Sequence, residues 1–205
     1  MSSESIQQQK KKLRRQYRSI RQELPDEKRL QNDQAINHHV ATVCRNSKYR
    51  TIAGYLAFDC EPEISQALSG LNSGEVEIYL PIIGAGGDDN PLGFRQWSPA
   101  PGNPDDENLE PNRFGINEPV IGKLCEISKL DAVLIPLVAW DRKGGRLGMG
   151  AGYYDRALFE VAHLASPLRI GVAYEAQRDD ELPMNDFDIP LHGVITEKGL
   201  FTFGD

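Results

Sequence analysis

The 205-residue chain has little of what builds disulfide frameworks and metal clusters: three cysteines and four histidines. Cys44, Cys60 and Cys125 are an odd set without a CxxC pair, which argues against both a disulfide scaffold and a structural zinc site. Cys60 reads as a small buried residue rather than a nucleophile. His38, His39, His163 and His192 have neither triad nor metal-cluster spacing. Long apolar runs are missing too: the longest, Ala132 to Trp140, falls far short of the ~20 residues of a membrane-crossing helix. The opening "MSSESIQQQKKKLRRQYR" is cationic with no apolar core behind it, so a secretory signal is not expected and the cytoplasm is the expected location. Internal repeats and long linkers are absent, and one domain over residues 1–205 is expected, the basic N-terminal helix included.

What is present is a globular composition with a lopsided charge. Apolar residues make up 40% and charged residues 26%, in the range of folded soluble chains. The net charge of −7 conceals a basic arm: residues 1–50 hold 12 Lys and Arg against 5 Asp and Glu, and the remainder 11 against 25. Such an arm suits an anionic partner, whether nucleic acid, a membrane surface or a phosphorylated small molecule; a solvated helix face is the competing reading. A nucleic-acid module would want basic residues across one face with aromatics between them, and this body is acidic. Charge alone favours the solvated face, and a monomeric chain is expected.

Leu13, Tyr17, Ile20 and Leu24 recur at helical spacing and predict an amphipathic helix over 5–23. A second helix follows to about Arg45, with Leu30, Val40 and Val43 inward. "TIAGYLAF" (51–58) predicts a strand, "PEISQALSGL" a helix with Pro62 in its first turn, and "EVEIYLPII" (75–83) another strand. A loop (84–91), a half-exposed strand (92–98) and a proline-rich acidic surface excursion (99–119) come next. "DAVLIPLVAW" (131–140) is continuously apolar, as expected of a central parallel strand covered on both faces. A helix over about 153–165, a strand at 168–174 and a short strand or hairpin at 193–201 complete the chain. Strands alternating with helices predict an α/β fold: an open, mostly parallel sheet with helices on both faces.

"GGRLGMGAGYYDR" (144–156) packs five glycines into nine residues between the most apolar strand and a helix. Ligands of open α/β sheets bind beyond the carboxyl ends of strands, and backbone amides at a helix start suit phosphate. The loop is neither a Walker A sequence, which requires Gly-Lys-Ser/Thr, nor the dinucleotide GxGxxG. A merely tight strand–helix turn is the alternative. Arg146 offers a guanidinium for phosphate oxygens. Asp155 is either a cap in the first helical turn or a ligand of Mg²⁺. Tyr153 and Tyr154 are either core or a wall for a flat ligand.

That segment resembles the signature of the 5-formyltetrahydrofolate cyclo-ligase family, and the resemblance runs through "KKKLR" (10–14), "YLAFDCEPEI" (55–64), "RFGINEP" (113–119), "AVLIPLVAWD", "GVAYEAQ" (171–177) and "MNDFDIPLHGVITEKG". The resemblance implies a ribose-phosphate isomerase or CoA-transferase-like sheet and an enzyme that cyclises 5-formyltetrahydrofolate with MgATP. It thereby implies a small-molecule partner, with no nucleic acid and no membrane. By matching positions it implies ATP contacts at Lys10, Arg14, Arg146, Leu147, Gly148, Met149, Gly150, Ala151, Gly152, Tyr153 and Tyr154. It implies folate contacts at Leu56, Glu61, Phe114 and Tyr153, Mg²⁺ at Asp155 and Asp188, and catalytic roles for Arg146 and Tyr153. Read without the family, Glu61 is a solvated loop residue. Met149, Ala151 and His192 depart from the family pattern. Phosphorylation of the N5-formyl oxygen, attack by the N10 amine and loss of phosphate is the implied route. An ATP-free isomerase or transferase and a nucleic-acid module are the alternatives.

Overall fold

A computed structural model describes residues 5–72, 76–84, 92–98 and 108–203. In chain order the elements are α1 (Ile6–Gln22), α2 (Asp26–Asn46), β1 (Thr51–Ala53), α3 (Ser65–Asn72), β2 (Glu77–Ile83), β3 (Leu92–Trp97), β4 (Leu109–Pro111), β5 (Asn117–Pro119), β6 (Leu124–Cys125), β7 (Ala132–Pro136), β8 (Ala139–Trp140), β9 (Arg146–Leu147), α4 (Tyr153–Phe159), β10 (Leu168–Val172), β11 (Gly193–Thr196) and β12 (Gly199–Thr202). Eight strands form one sheet in the order β12-β11-β10-β7-β1-β2-β3-β6. Its five central members, β11 to β2, run parallel, while β12, β3 and β6 are antiparallel additions at the edges.

The period of two along these strands divides the core. Ile52, Ile78, Leu80, Ala132, Leu134, Ile170 and Ile195 point to one face, where Ile36, Val40 and Cys44 of α2 and Leu68 and Leu71 of α3 cover them. Ala53, Tyr79, Val133, Ile135 and Val194 point the other way, to Ala157 and Leu158 of α4 and to Ile189 and Leu191. Helices therefore cover both faces of a mostly parallel sheet. A smaller cluster of Tyr17, Val138, Ala139, Leu147 and Leu182 seats α1 beyond the carboxyl ends of β7 and β10. Ser5 and Gln8 form a reciprocal cap at its start. Among the described residues no helix is long and apolar enough to cross a membrane.

Several elements are shorter than the pattern predicts. The apolar run 131–140 leaves the sheet at Pro136, which has no N–H for the ladder. The freed carbonyls of Leu137 and Val138 accept from Gln177 Nε2 at 2.8 and 3.0 Å, and Ala139–Trp140 pair with β9 instead. The strand expected over 51–58 ends at Ala53; at Gly54 a Cβ would lie 2.6 Å from Leu68. The third helix starts at Ser65, past Pro62. The fourth ends at Phe159, and the chain turns irregularly towards Pro167, a residue type whose predecessor is biased away from helix. Leu30 is 60% exposed, because the inner row of α2 (Ile36, Val40, Cys44) runs back through Asp33 and Arg29. The C-terminal segment is a hairpin, and residues 108–119 of the acidic excursion carry the β4–β5 hairpin. Residue 75 of the expected strand, 85–91 of the expected loop and 99–107 of the excursion lie outside the described residues.

Candidate active site

Helix α1 aims one edge at the carboxyl ends of the sheet. Lys10, Arg14, Tyr17 and Arg21 recur at four, three and four residues and so share that edge. Lys10 and Arg21 are buried, with 5% and 0% of their surface exposed. Lys10 Nζ pairs with Asp188, and Arg14 Nε donates to the Gly148 carbonyl at 2.8 Å. Burial lowers the Arg14 guanidinium from its ordinary value, with Asp188 and Asp155 pulling it back up. Lys11, Lys12 and Arg15 are exposed, so the solvated-face reading holds for one side of the helix only.

The glycine loop serves two purposes. At Gly145 a Cβ would meet Asp141 Oδ2 at 2.5 Å, and the buried Asp141 carboxylate accepts from the amides of Lys143, Gly145 and Leu182, each at 2.8 Å. That half of the loop is a tight turn folded round its own anion. The loop is open at Gly148, where nothing lies within 4 Å of a Cβ, and is then covered by guanidinium groups, Arg14 Cζ 3.3 Å from a Cβ at Gly150 (φ +108°) and Arg156 Nη1 3.1 Å from one at Gly152 (φ +69°). Met149 and Ala151 are exposed there. Beside the tight half of the loop an open cleft of about 560 Å³ is lined by Gln9, Asp141, Lys143 and residues 181–184.

Arg146 sits between these parts, its side chain 4% exposed. Its Nη2 donates to Asp155 Oδ1 at 2.5 Å, while Nη1 is buried without a partner among the described residues. Burial pushes its pKa down, Asp155 and Asp188 opposing. Asp155 makes no cap; its Oδ1 also accepts from Ile189 N at 3.2 Å. That bond brings the neighbouring Asp188 close, whose Oδ2 accepts from Asn185 N at 2.6 Å and from Lys10. Asp155 Oδ2 and Asp188 Oδ1 make no hydrogen bond among the described residues. Among the described residues no group of three or more His, Cys, Asp or Glu side chains is placed to hold a metal ion, so these two carboxylates stand as a pair.

Glu61 is buried, 9% exposed, and is no solvated loop residue. Desolvation raises its carboxyl to about 7, against the pull of Arg21 and the Phe58 amide. Glu61 Oε2 accepts from Phe58 N at 3.1 Å, and Arg21 Nη1 lies 3.8 Å from Oε1. Asp59, two residues earlier, accepts from Arg18, Arg21 and Gln22 of α1. Cys60 is only half-buried, contrary to expectation. Leu56 is half-buried against the α2-side core.

Both tyrosines are half-buried against the α4-side core, and they differ in where their hydroxyls lie. Tyr154 packs with the α4-side core, and burial followed by Glu61 raises its phenol well above the ordinary range. The Tyr153 hydroxyl lies at the surface, where it accepts from Arg113 Nη2 at 2.8 Å, and Phe114 meets its ring edge-on at 6.5 Å. The Asn112 side chain accepts from the amides of Phe114 and Ile116 and shapes the hairpin tip that carries Phe114, which is 48% exposed. His192 belongs elsewhere, with its ring against Arg169.

Asp59, Arg21, Asp141 and Gln177 are the members of this assembly that sequence reasoning left unassigned. Arg21 carried a signal: it continues the Lys10–Arg14–Tyr17 edge by one turn. Asp59 reaches α1 residues 37 to 41 positions away, while Asp141 and Gln177 join a local amide, Gly145 and Tyr174, to partners 41 and 40 residues away.

An open α/β sheet that gathers buried cations, two carboxylates and an aromatic wall at its carboxyl ends is a small-molecule enzyme in class. The family is definite: the model of the 5-formyltetrahydrofolate cyclo-ligase family matches residues 6–197, and the chain belongs to that family. It is 30% identical over 195 residues to the 5-formyltetrahydrofolate cyclo-ligase of Haemophilus influenzae, covering 92% of this chain and 97% of that one. The Escherichia coli protein of the same name is 34% identical over 148 residues, 71% of this chain and 77% of that one. Among solved structures, the Aquifex aeolicus 5,10-methenyltetrahydrofolate synthetase superposes with a TM-score of 0.79 at 28% identity, covering 96% of this chain and 93% of that one.

Proposed function

We propose that this chain converts 5-formyltetrahydrofolate to 5,10-methenyltetrahydrofolate, consuming MgATP and releasing ADP and phosphate. The observation that carries the nucleotide part is Arg146, a buried guanidinium with one donor unpartnered among the described residues, close to the open backbone at Gly148. A buried cation in want of acceptors, with Lys10 and Arg14 alongside, suits phosphate oxygens. The donor set fits the metal as well, since Mg²⁺ takes one or two carboxylates with phosphates and water, and Asp155 and Asp188 each keep one oxygen without a hydrogen bond among the described residues.

When bound, MgATP supplies a γ-phosphoryl group that turns the formyl oxygen into a phosphate leaving group. The chain's own part is alignment and charge compensation. Arg146, Lys10 and Arg14 offset negative charge on the phosphoryl oxygens. The backbone from Leu147 to Gly152 lets the phosphates approach, and Tyr154 backs the loop from the core side. The cavity beside Gln9 has the volume for the nucleoside half. Glu61 accepts hydrogen bonds from the donor-rich edge of the pterin. Leu56, Phe114 and Tyr153 line its faces, and the Tyr153 hydroxyl, held by Arg113, orients the formyl group.

The test is direct. Protein mixed with ATP, Mg²⁺ and 5-formyltetrahydrofolate should develop the near-ultraviolet methenyl chromophore, with ADP and phosphate formed one for one. No product from a folded preparation, or product without nucleotide consumption, overturns the reading.

A further inference from the structure

The segment leading into Glu61 is strained, and α1 holds it. Asp59 and Cys60 both adopt the left-handed region, at φ +52° and +60°, and the Glu61 amide closes the turn on the Phe58 carbonyl at 3.0 Å. Two successive non-glycine residues in that region persist only where surrounding contacts over-determine them. Asp59 supplies those contacts. Its Oδ2 accepts from Arg18 Nε at 2.9 Å and from Arg21 Nη2 at 2.8 Å, and its Oδ1 from Gln22 Nε2 at 2.6 Å. Arg21 is anchored in turn on the Leu137 carbonyl at 3.2 Å, at the end of the central strand.

We infer that Asp59 is a positioning residue for folate: its clamp onto α1 holds the Phe58–Glu61 turn in the left-handed form that aims Glu61. This rests on the folate role proposed for Glu61. Without the clamp, residues 59 and 60 relax towards right-handed angles, and the Glu61 carboxylate leaves its place beside Phe58 N and Arg21. The clamp lies at the opposite end of α1 from Lys10, so the nucleotide side is left in place. Asp59 itself touches neither substrate nor nucleotide. Burial works against its charge, but the bonds from Arg18 and Gln22 and the charge of Arg21 prevail, so the carboxyl titrates below its ordinary value and the clamp is intact at neutral pH.

The experiment compares Asp59→Ala, Asp59→Asn, Asp59→Ala with Cys60→Gly, and Glu61→Gln, each checked for folding by thermal melting. The readouts are the 5-formyltetrahydrofolate Kd without nucleotide, the KM of each substrate, and kcat. Asp59→Ala should weaken folate binding at least about tenfold, with the ATP KM and kcat at saturating folate within about twofold. Asparagine tolerates left-handed angles and keeps an acceptor oxygen, so Asp59→Asn should weaken binding only about threefold; this variant serves if Asp59→Ala does not fold. Adding Cys60→Gly to Asp59→Ala should recover at least about threefold, because glycine enters the left-handed region without a clamp. That recovery is what a merely structural role for Asp59 would not produce. Wild-type folate affinity in folded Asp59→Ala, beside weakened binding in Glu61→Gln, overturns the clamp and leaves the folate site standing. Failure of Cys60→Gly to recover affinity overturns it too. Unchanged affinity in Glu61→Gln removes the folate role of Glu61, and the clamp's purpose with it.

Discussion

Lys10, Arg14 and Arg21 line the edge of α1 turned to the sheet, with the 43% exposed Arg18 beside them, while Lys11, Lys12 and Arg15 on the same helix face solvent. The inner row is bound to Asp188, to the Gly148 carbonyl, to Asp59 and to the Leu137 carbonyl. For the three outer residues no ion pair appears among the described residues. The two rows contribute alike to the charge of the arm. They differ in energy, because a cation withdrawn from water requires partners and one left in water does not. A charge count therefore describes the arm, and the helical period describes its use.

The comparison is best broken at Arg146, the buried cation with an unused donor. Arg146→Ala should lower turnover by about 10²–10³-fold, the effect of deleting one donor to a developing oxyanion. The same change should cost about 3–5 kcal/mol of stability, because it leaves the Asp155 carboxylate without its cation. Steady-state rates at saturating substrates and chemical denaturation check the two halves. Wild-type turnover would move the anion site off Arg146.

Within the inner row, Lys10→Ala and Arg14→Ala should each raise the ATP KM by about ten- to a hundredfold, since each removes a charge-assisted bond worth roughly 1.5–3 kcal/mol. Folate is held saturating for this measurement. Losses of the same small size at Lys10, Arg14 and Lys11 would dissolve the distinction between the rows and leave only a general field.

A smaller effect is expected from pH. With the Glu61 carboxyl at about 7, the folate KM should fall by up to about tenfold per pH unit on the acid side of 7 and level off above it, as the carboxylate forms. Glu61→Gln should flatten that profile. Stability should move the opposite way. A carboxyl raised from 4.5 to about 7 keeps, in the folded chain, a proton that the unfolded chain has released between those values. Stability should therefore decline as pH rises through that window and then stay level, a decline missing in Glu61→Gln. A wild-type folate KM without pH dependence would mean that Glu61 does not meet the substrate as a carboxylate.

The smallest effect sharpens the contrast from the other side. Lys11→Ala should change the ATP KM by less than about twofold, because an exposed charge is screened and weakly coupled. A change comparable to that of Arg14→Ala would extend the site onto the outer row.

How much of this was legible varies with the distance over which each feature is decided. The order of helices and strands, the central apolar run and the unusual backbone of residues 144–152 follow from neighbours a few positions apart. The glycine loop was legible as a place of close approach, but not as two places. Gly145 answers to Asp141, within the same turn, whereas Gly148 opens outward. The alternatives for Asp155 could not be separated, because its partners, Arg146 and the Ile189 amide, lie 9 and 34 residues away. Phe114 was placed by resemblance alone; its seat against Tyr153 comes from a hairpin tip shaped by Asn112.

By itself the sequence determined an α/β sheet, the family to which the chain belongs and the residue types collected for anion and folate chemistry, because periodicity and signature spacing are properties of local chain. Tertiary structure alone decided which of those residues are buried, charged in pairs or left wanting a partner. Glu61 reads as a surface glutamate until the packing of Arg21 and the turn at Asp59 removes its water, and burial is a sum over contacts that the linear order of residues does not contain.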